Sequence, residues 1–360
     1  MKNTPITHVH VDSGAKMGNF AGFNMPISYS SVNEEHLNVR QHVSLFDVSH
    51  MGEIFLKGPD ALANAQMLTS NDVSKLSPGK AQYSTMLNEH GGIIDDLLVY
   101  MLADDEFMFV VNGANLETDW QWILDHRTGD CQLHNRTENI GLIAVQGPKA
   151  IELVQHLVKS DVSDIKYYTF RKDNVAGIED VIISATGYTG SGGFELYCKS
   201  ADTESLWNNL ILAGEEFNAF PAGLAARNTL RLEMGFCLHG NDITQETNPL
   251  EAGLGWIVKF NKDFIGKDAL QKIKEKGLDR KLCGFEMMDR AIGRQGYPVC
   301  DADHNEIGVV TSGSFAPSLN KNIGLAYLPI ELSKGEHEIF IKIRNKFAPA
   351  KTTSLPFYKV

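Results

Sequence analysis

The sequence has few cysteines, and their arrangement limits what the chain can be. The five cysteines are odd in number, scattered and never spaced as Cys-x-x-Cys. Zinc clusters use closely spaced cysteine pairs, and disulfide frameworks use an even, regular set. We therefore expect a protein of a reducing compartment, the cytoplasm, whose fold depends on neither.

Long apolar runs are also missing. No uninterrupted apolar stretch approaches the roughly 18 residues that a membrane-spanning helix needs. The first residues are polar and do not lead into the apolar segment of a signal peptide. We expect a soluble chain with no membrane partner.

Positive charge is scarce, because 33 Lys and Arg residues stand against 45 Asp and Glu residues, a formal net charge of −12. Proteins that neutralise nucleic-acid phosphates need a basic face, so nucleic acid is not expected as a partner. Of the 12 histidines only His8 and His10 are closely spaced, which does not favour a metal site. Any anionic ligand must be met by a local cation.

What the chain has is an ordinary globular composition, with 43% hydrophobic and 22% charged residues in 360. This length predicts two or three domains. The steps Gly58-Pro59 and Gly147-Pro148 each open a predicted helix, which suggests two similar α+β halves. A further helix is predicted from Ser31, where Ser-x-x-Glu is typical of a capping box.

The C-terminal part has a different pattern. From about Lys281 short alternating segments predict strands of a barrel or sandwich, so we place a domain boundary near residue 276, between 1–275 and 276–360. Just before it, 248–267 is expected to contain a turn, an apolar strand and the start of a helix.

The most unusual stretch is 91–100, where Asp95 and Asp96 stand together among branched apolar residues just after two glycines. Successive side chains of a strand point to opposite faces, so at least one carboxylate must lie among apolar neighbours. A carboxylate out of water is costly unless it is paired or hydrogen-bonded. The pair is a candidate acid, base or cation anchor, and a turn cap or solvated pair is the alternative.

Three other segments hold polar side chains at ordered positions. His50 lies in a His-Met-Gly break between two predicted strands, where the glycine turn favours a structural histidine. Glu195 follows a loop of four glycines that would let backbone approach a ligand but lacks the phosphate-loop ending. Arg227 and Arg231 lie one turn apart on a predicted helix. They form surface ion pairs, or Arg227 is the cation that meets a carboxylate ligand.

Together these segments resemble a known family, the aminomethyltransferases or T proteins of the glycine cleavage system. The resemblance extends over nearly the whole chain. The matching blocks, in order, are 46–52, 91–96, 187–190, 193–195, 226–227 with 230–233, 248–254 and 262–267.

The resemblance implies a three-lobed α+β protein: two interleaved α+β subdomains around a central folate pocket, followed by a C-terminal β-barrel-like domain. It also implies transfer of an aminomethyl group from the lipoyl arm of H protein to tetrahydrofolate, which gives 5,10-methylenetetrahydrofolate and ammonia in glycine breakdown. Tetrahydrofolate is then a co-substrate and lipoylated H protein the partner. No metal, flavin or pyridoxal phosphate is required.

The resemblance also assigns residues by motif. It implies that Asp96 is the catalytic carboxylate and that Glu195 binds the pterin. The further folate contacts that it implies are Arg227, Tyr188, Tyr358, Met51, Tyr83, Tyr100 and Asn112.

The chain departs from the family pattern at Asn228, His239 and Ala316, where many relatives have Asp, Tyr and Ser. The first change could loosen an ion pair near Arg227. One alternative function is a folate-binding iron-sulfur assembly or regulatory protein, but its Lys-Gly-Cys-Tyr-x-Gly-Gln-Glu motif is replaced around Cys237. A folate-dependent demethylase is another, although no Gly-x-Gly-x-x-Gly follows a predicted strand.

Overall fold

The structure, a computed structural model, describes residues 1–359. The α-helices in this range are α1 (Thr7–Asp12), α2 (Val32–Gln41), α3 (Ala61–Leu68), α4 (Leu116–His126), α5 (Ala150–Leu157), α6 (Thr203–Gly214), α7 (Leu224–Glu233) and α8 (Lys267–Lys276).

Nineteen strands lie in the same range. They are β1 (Lys16–Phe20), β2 (Phe23–Ser28), β3 (Val43–Asp47), β4 (Gly52–Lys57), β5 (Lys80–Leu87), β6 (Ile93–Ala103), β7 (Glu106–Val111), β8 (Gln132–Asn135), β9 (Ile140–Gln146), β10 (Phe170–Val175), β11 (Ile178–Ser184), β12 (Gly193–Lys199), β13 (Ala219–Pro221), β14 (Arg280–Met287), β15 (Pro298–Cys300), β16 (Glu306–Ala316), β17 (Lys321–Pro329), β18 (Glu338–Ile343) and β19 (Lys346–Thr353).

The chain forms two compact units. The first comprises Met1–Ser84 and Asp96–Arg227, and the second comprises Thr85–Asp95 and the chain from Asn228 onward. The domain boundary near residue 276 stays a prediction.

The strands before residue 228 form three sheets. One is the hairpin β1-β2, one has the order β5-β6-β7-β4-β8, and one has the order β10-β11-β12-β9-β3-β13. A helix follows each predicted Gly-Pro start, α3 in one case and α5 in the other. This mixture of helices and sheets confirms the predicted α+β class.

The core of the first unit forms where the six-stranded sheet packs against α5 and α6. Leu45, Val145, Leu153 and Leu210 are completely buried there. Burying a side chain of this kind stabilises the fold by about 1.5–3 kcal/mol. Leu153 of α5 and Leu210 of α6 therefore face this sheet.

The N-terminus of α2 has the predicted capping box. The Glu34 N–H donates to Ser31 Oγ at 3.2 Å, and the Ser31 N–H donates to Glu34 Oε2 at 3.3 Å. Two of the unpaired N–H groups at the start of the helix are thereby satisfied.

In the second unit, the C-terminal strands close into a barrel of order β14-β17-β16-β15-β18-β19. Its interior includes the completely buried Phe285, Val299, Leu328 and Ile339. The alternating pattern predicted a barrel or a sandwich, and the strands form the barrel, which leaves no unpaired sheet edge.

The prediction of a strand within 248–267 is wrong. This segment contains a single 3-10 turn, Gly255–Ile257, instead. The Ile257 N–H donates to the Leu254 carbonyl at 3.0 Å and the Val258 N–H donates to the Gly255 carbonyl at 3.2 Å. These local bonds satisfy the backbone without a partner strand.

Arg231 is not a surface residue, contrary to the simpler interpretation. It is completely buried, and its Nη1 donates to Asp242 Oδ2 at 2.6 Å. Its Nη2 donates to Ser312 Oγ at 2.9 Å, and its Nε donates to Asn228 Oδ1 at 2.9 Å. Removing one partner of such a buried pair costs about 3–5 kcal/mol. Asn228, one of the departures from the family pattern, thus bonds to Arg231.

Candidate active site

The aspartate pair lies at the start of β6, immediately after a tight glycine turn. Gly91 has a φ of +83°, and a side chain at Gly92 would come within 1.8 Å of the Gln245 carbonyl oxygen. Only glycine therefore fits this turn. Asp95 is completely buried whereas Asp96 is partly exposed. The strand alternation that the sequence predicted is thus present, and it leaves Asp96 as the carboxylate that a ligand can reach.

Two of the predicted residues hold the Asp96 carboxylate. The Asn112 amide donates to Asp96 Oδ1 at 3.0 Å and to its backbone carbonyl at 3.1 Å. The Tyr83 hydroxyl donates to Asp96 Oδ2 at 2.9 Å. Asn112 directly follows β7, and Tyr83 lies on β5, the strand next to β6. Because each oxygen has its own donor, the orientation of the carboxylate is fixed.

The glycine-rich loop before Glu195 is held from two sides. Arg40 Nη1 donates to the Thr189 carbonyl at 2.6 Å and to Ser191 Oγ at 2.7 Å. Gln146 Nε2 donates to the Thr186 carbonyl at 3.2 Å, and Thr189 Oγ1 donates to Gln146 Oε1 at 2.8 Å. The loop is therefore a fixed structure rather than a loose linker.

Glu195 lies on β12, just beyond this loop, and is 6% exposed. Thr186 Oγ1 donates to its Oε2 at 2.6 Å. Burial raises the pKa of Glu195, and the Arg227 charge and the Thr186 hydrogen bond oppose this rise. A buried carboxylate with a cation close by is suited to bind the N–H groups of a ligand.

Tyr100 lies behind Glu195 in the same hydrogen-bond network. Its hydroxyl is completely buried and lies 3.1 Å from Thr186 Oγ1, 3.0 Å from Ser184 Oγ and 3.0 Å from Tyr197 Oη. Burial raises the pKa of Tyr100 well above its usual range, so the hydroxyl stays protonated and can donate. One hydroxyl, that of Thr186, separates Tyr100 from the Glu195 carboxylate.

Arg227 lies in the first turn of α7, whose start is fixed by a buried carboxylate. Glu35 Oε2 accepts the Gly223 N–H at 2.8 Å, and the Arg227 N–H donates to the Gly223 carbonyl at 3.2 Å. The Arg227 guanidinium lies over the Tyr188 ring, 4.8 Å from its centre. Burial lowers the pKa of Arg227 and the Glu195 charge opposes this, but a guanidinium remains charged in either case.

The remaining two predicted residues have different positions. Met51 lies in the turn before β4 and is partly buried, with its N–H donating to the Val48 carbonyl at 3.0 Å. Tyr358 belongs to the second unit, where its N–H donates to the Glu233 carbonyl at 2.9 Å. The first unit therefore contains two clusters of predicted site residues. One consists of Asp96, Tyr83 and Asn112, and the other of Glu195, Tyr100, Arg227 and Tyr188.

Sequence reasoning assigned no ligand-binding role to two buried polar residues of the first unit. Neither oxygen of Glu53 has a hydrogen-bond partner among residues 1–359, and burial raises the pKa of Glu53 well above its usual range. His50, interpreted as a turn histidine, has a buried Nδ1 that also lacks a partner in that range. The available signal was that both lie in the His-Met-Gly-Glu segment next to Met51, at the join between two predicted strands.

Residues 1–359 contain neither a metal-ligand cluster nor a helix that could span a membrane. The His, Cys, Asp and Glu side chains there form no group of three or more that could hold a metal ion. Every helix in that range is too short or too polar to span a bilayer.

The chain matches two family models that together cover most of its length. Residues 6–262 match the GCVT N-terminal domain, and residues 280–359 match the glycine cleavage T-protein C-terminal barrel domain. The chain therefore belongs to the glycine cleavage T-protein family, whose members are aminomethyltransferases. This confirms the resemblance found in the sequence.

Individual relatives agree with this result. The chain is 54% identical over 359 residues to an aminomethyltransferase of Flavobacterium psychrophilum and 52% identical over 361 residues to one of Bacteroides thetaiotaomicron, with 100% of each chain covered. The crystal structure of glycine cleavage system aminomethyltransferase T from Bartonella henselae superposes with a TM-score of 0.93 at 35% identity, covering 99% of this chain and 98% of that one. The predicted fold and enzyme class are confirmed.

Proposed function

We propose that this aminomethyltransferase takes the aminomethyl group from the lipoyl arm of H protein and passes it to tetrahydrofolate. The products are 5,10-methylenetetrahydrofolate, ammonia and the reduced lipoyl arm. The observation that carries the proposal is the Asp96 carboxylate, which Tyr83 and Asn112 hold on both oxygens within a chain that matches aminomethyltransferases along its full length.

The reaction balances without an oxidant. The aminomethyl carbon loses its bonds to sulfur and to the amine nitrogen and gains two bonds to folate nitrogens. Of the two protons that folate loses, one goes to the departing amine, which leaves as ammonia, and the other to the lipoyl sulfur. The carbon keeps its oxidation state, so the transfer requires no flavin, and we also propose that it requires no metal and no pyridoxal phosphate.

Asp96 stabilises the positive charge that this route creates. When either sulfur or nitrogen leaves, the remaining one shares its electron pair with carbon, and the carbon together with that remaining atom becomes cationic. A carboxylate that is already oriented need not reorganise when this charge forms, which is how fixed groups lower a barrier. The Tyr83 and Asn112 donors supply that orientation, and the same carboxylate can hold the attacking folate amine in line.

Glu195 and Arg227 bind the pterin. The 2-amino group and the neighbouring ring N–H present two parallel donors, which one ionised carboxylate accepts. Arg227 opposes the effect of burial on the Glu195 carboxyl and so favours the ionised form. Tyr188 supports the guanidinium from one face. We propose Met51, Tyr100 and Tyr358 as further folate contacts, and a cytoplasmic location in keeping with the unpaired cysteines.

The test is to mix the protein with aminomethylated H protein and tetrahydrofolate and to measure methylenetetrahydrofolate and ammonia. Equal amounts of both products support the proposal. Folate binding without product would favour a regulatory or assembly protein. Product formed from sarcosine or dimethylglycine, but not from aminomethylated H protein, would favour a demethylase.

A further inference from the structure

His50 is buried in a way that its place in a turn does not explain. It is 3% exposed, and its Nδ1 is completely buried without a hydrogen-bond partner among residues 1–359. Leaving a polar atom buried and unpaired costs about 1–3 kcal/mol, so native structures rarely keep one without a use.

The orientation of the His50 ring is fixed by its surroundings. The Phe20 and Phe23 rings meet it edge-on, with ring centres 5.3 and 6.5 Å away. A side chain at Gly113 would come within 2.0 Å of the His50 carbonyl oxygen, so glycine allows the two backbones to pack closely there. The His50 ring is thus packed against two aromatic rings, with its Nδ1 buried.

A second unpaired polar atom belongs to Arg227, a residue whose charge acts on His50. Arg227 Nη1 is also completely buried and without a partner in the described range. Burial lowers the pKa of His50 to about 4. The Arg227 charge lowers this pKa further, and the Asp47 charge opposes the decrease. The imidazole is therefore neutral near pH 7, with one nitrogen that donates and one that accepts.

The chemistry of the two groups indicates what they bind. Guanidinium nitrogens can only donate hydrogen bonds, so a ligand atom facing Arg227 Nη1 must be an acceptor. A neutral imidazole can donate to the same acceptor through Nδ1–H. In a pterin, the ring N–H that would bind Glu195 stands next to the carbonyl at C4, and Arg227 is the cation whose charge acts on Glu195.

We propose that His50 is a folate-binding residue: its Nδ1–H and Arg227 Nη1 both donate to the C4 carbonyl oxygen of the pterin, beside the N–H edge bound by Glu195. This inference rests on the proposed function. It assigns His50 to recognition of the 4-oxo group and gives both unpaired buried atoms a common partner.

The test compares tetrahydrofolate with its 4-amino counterpart, tetrahydroaminopterin, by anaerobic titration calorimetry. The 4-amino group of the counterpart donates hydrogen bonds at the position where the C4 carbonyl of tetrahydrofolate accepts them. His50→Leu removes the donor, whereas His50→Asn retains an N–H near the position of Nδ1. We expect His50→Leu to weaken tetrahydrofolate binding about tenfold, the worth of one such bond, and to reduce the preference for the 4-oxo compound by a similar factor. His50→Asn should keep most of that preference.

If His50 had a purely structural role, His50→Leu would weaken the binding of both compounds equally. An unchanged preference for the 4-oxo compound in His50→Leu therefore overturns the inference. If the wild-type protein transfers the aminomethyl group and this result is found, the inference alone fails. If the wild-type protein binds neither compound, the proposed function fails first.

Should His50→Leu not fold, NMR of wild-type protein labelled with ¹⁵N-histidine decides the question. A proton on Nδ1 of His50 in the tetrahydrofolate complex supports the inference. A proton on Nε2 alone contradicts it.

Discussion

Tyr83 donates its hydroxyl to Asp96 Oδ2 at 2.9 Å, from a strand adjacent to the one that carries the aspartate. If this bond orients the carboxylate for catalysis, Tyr83→Phe should lower kcat about tenfold, the order expected for one hydrogen bond to a charged group. The KM for tetrahydrofolate should change less. Steady-state kinetics check the split, and a variant with raised KM and unchanged kcat would show that Tyr83 serves binding instead.

Replacing Asp96 by Asn should leave the fold intact and lower the transfer rate by about 10²-fold or more. The amide keeps the shape of the side chain but removes the negative charge that faces the developing cation. Asp95→Asn is the matched comparison, because it makes the same change one residue earlier. Asp95 is completely buried, so its loss should affect thermal stability more than rate. The reverse ranking in rate would show that the catalytic carboxylate has been misassigned.

Glu195→Gln should weaken folate binding by about 1.5–3 kcal/mol, the usual worth of hydrogen bonds to a charged group. Burial raises the pKa of Glu195, with Arg227 and Thr186 opposing. As pH falls through this raised pKa the carboxylate gains a proton and loses an acceptor, so wild-type affinity should decrease at a higher pH than for an ordinary glutamate. Titration calorimetry of both proteins over a pH series checks this prediction. The Glu195→Gln variant should lack the decrease in folate affinity that the wild type shows as pH falls.

Glu53 should make the free energy of unfolding depend on pH in the opposite sense to most acids. Burial raises the pKa of Glu53, so between the unfolded and folded pKa values the native state holds the extra proton. The contribution of Glu53 to the free energy of unfolding is therefore greatest below the pKa that Glu53 has in the unfolded chain. It declines by about 1.4 kcal/mol per pH unit as pH rises toward the pKa of Glu53 in the folded protein.

Glu53→Gln has no ionisable group at this position and should remove that decline. Urea unfolding of both proteins at several pH values gives the difference. Parallel stability curves would mean that Glu53 ionises in the native state as readily as in the unfolded state.

Arg290 and Arg294, exposed residues near the start of the barrel, are candidates for docking an acidic H protein. Arg294 Nη1 donates to the Gly313 carbonyl at 3.3 Å, which fixes that side chain in part. Replacing both by Ala should raise the KM for H protein and reduce its dependence on ionic strength, because long-range attraction chiefly speeds association. Folate affinity should not change.

The control for this docking prediction removes equal charge elsewhere on the barrel. Lys334→Ala combined with Lys346→Ala changes two exposed cations and should leave the KM for H protein as it was. If both double variants behave alike, net charge rather than a docking surface is responsible. If neither has an effect, H protein docks elsewhere.

Several features followed from the sequence because they are local. The alternation of a strand placed Asp95 and Asp96 on opposite faces, and Ser31 with Glu34 marked the start of α2. The short alternating segments from about Lys281 predicted a barrel or a sandwich. Motif order gave the family, since seven blocks in the right order identify a family more specifically than any one block does.

The tertiary structure decided which distant residues meet. Tyr83 and Asp96 lie on neighbouring strands and Asn112 directly follows a third, and nothing in their spacing showed that both donors would reach one carboxylate. The segment before Val258, within the range predicted to contain a strand, forms a turn because its backbone N–H groups donate to carbonyls three residues earlier. Arg231, like Arg227 in sequence context, is completely buried with Asp242. The sequence by itself determined the periodicities and the family, whereas burial and hydrogen-bond partners depend on sheet order and packing between residues far apart in the chain.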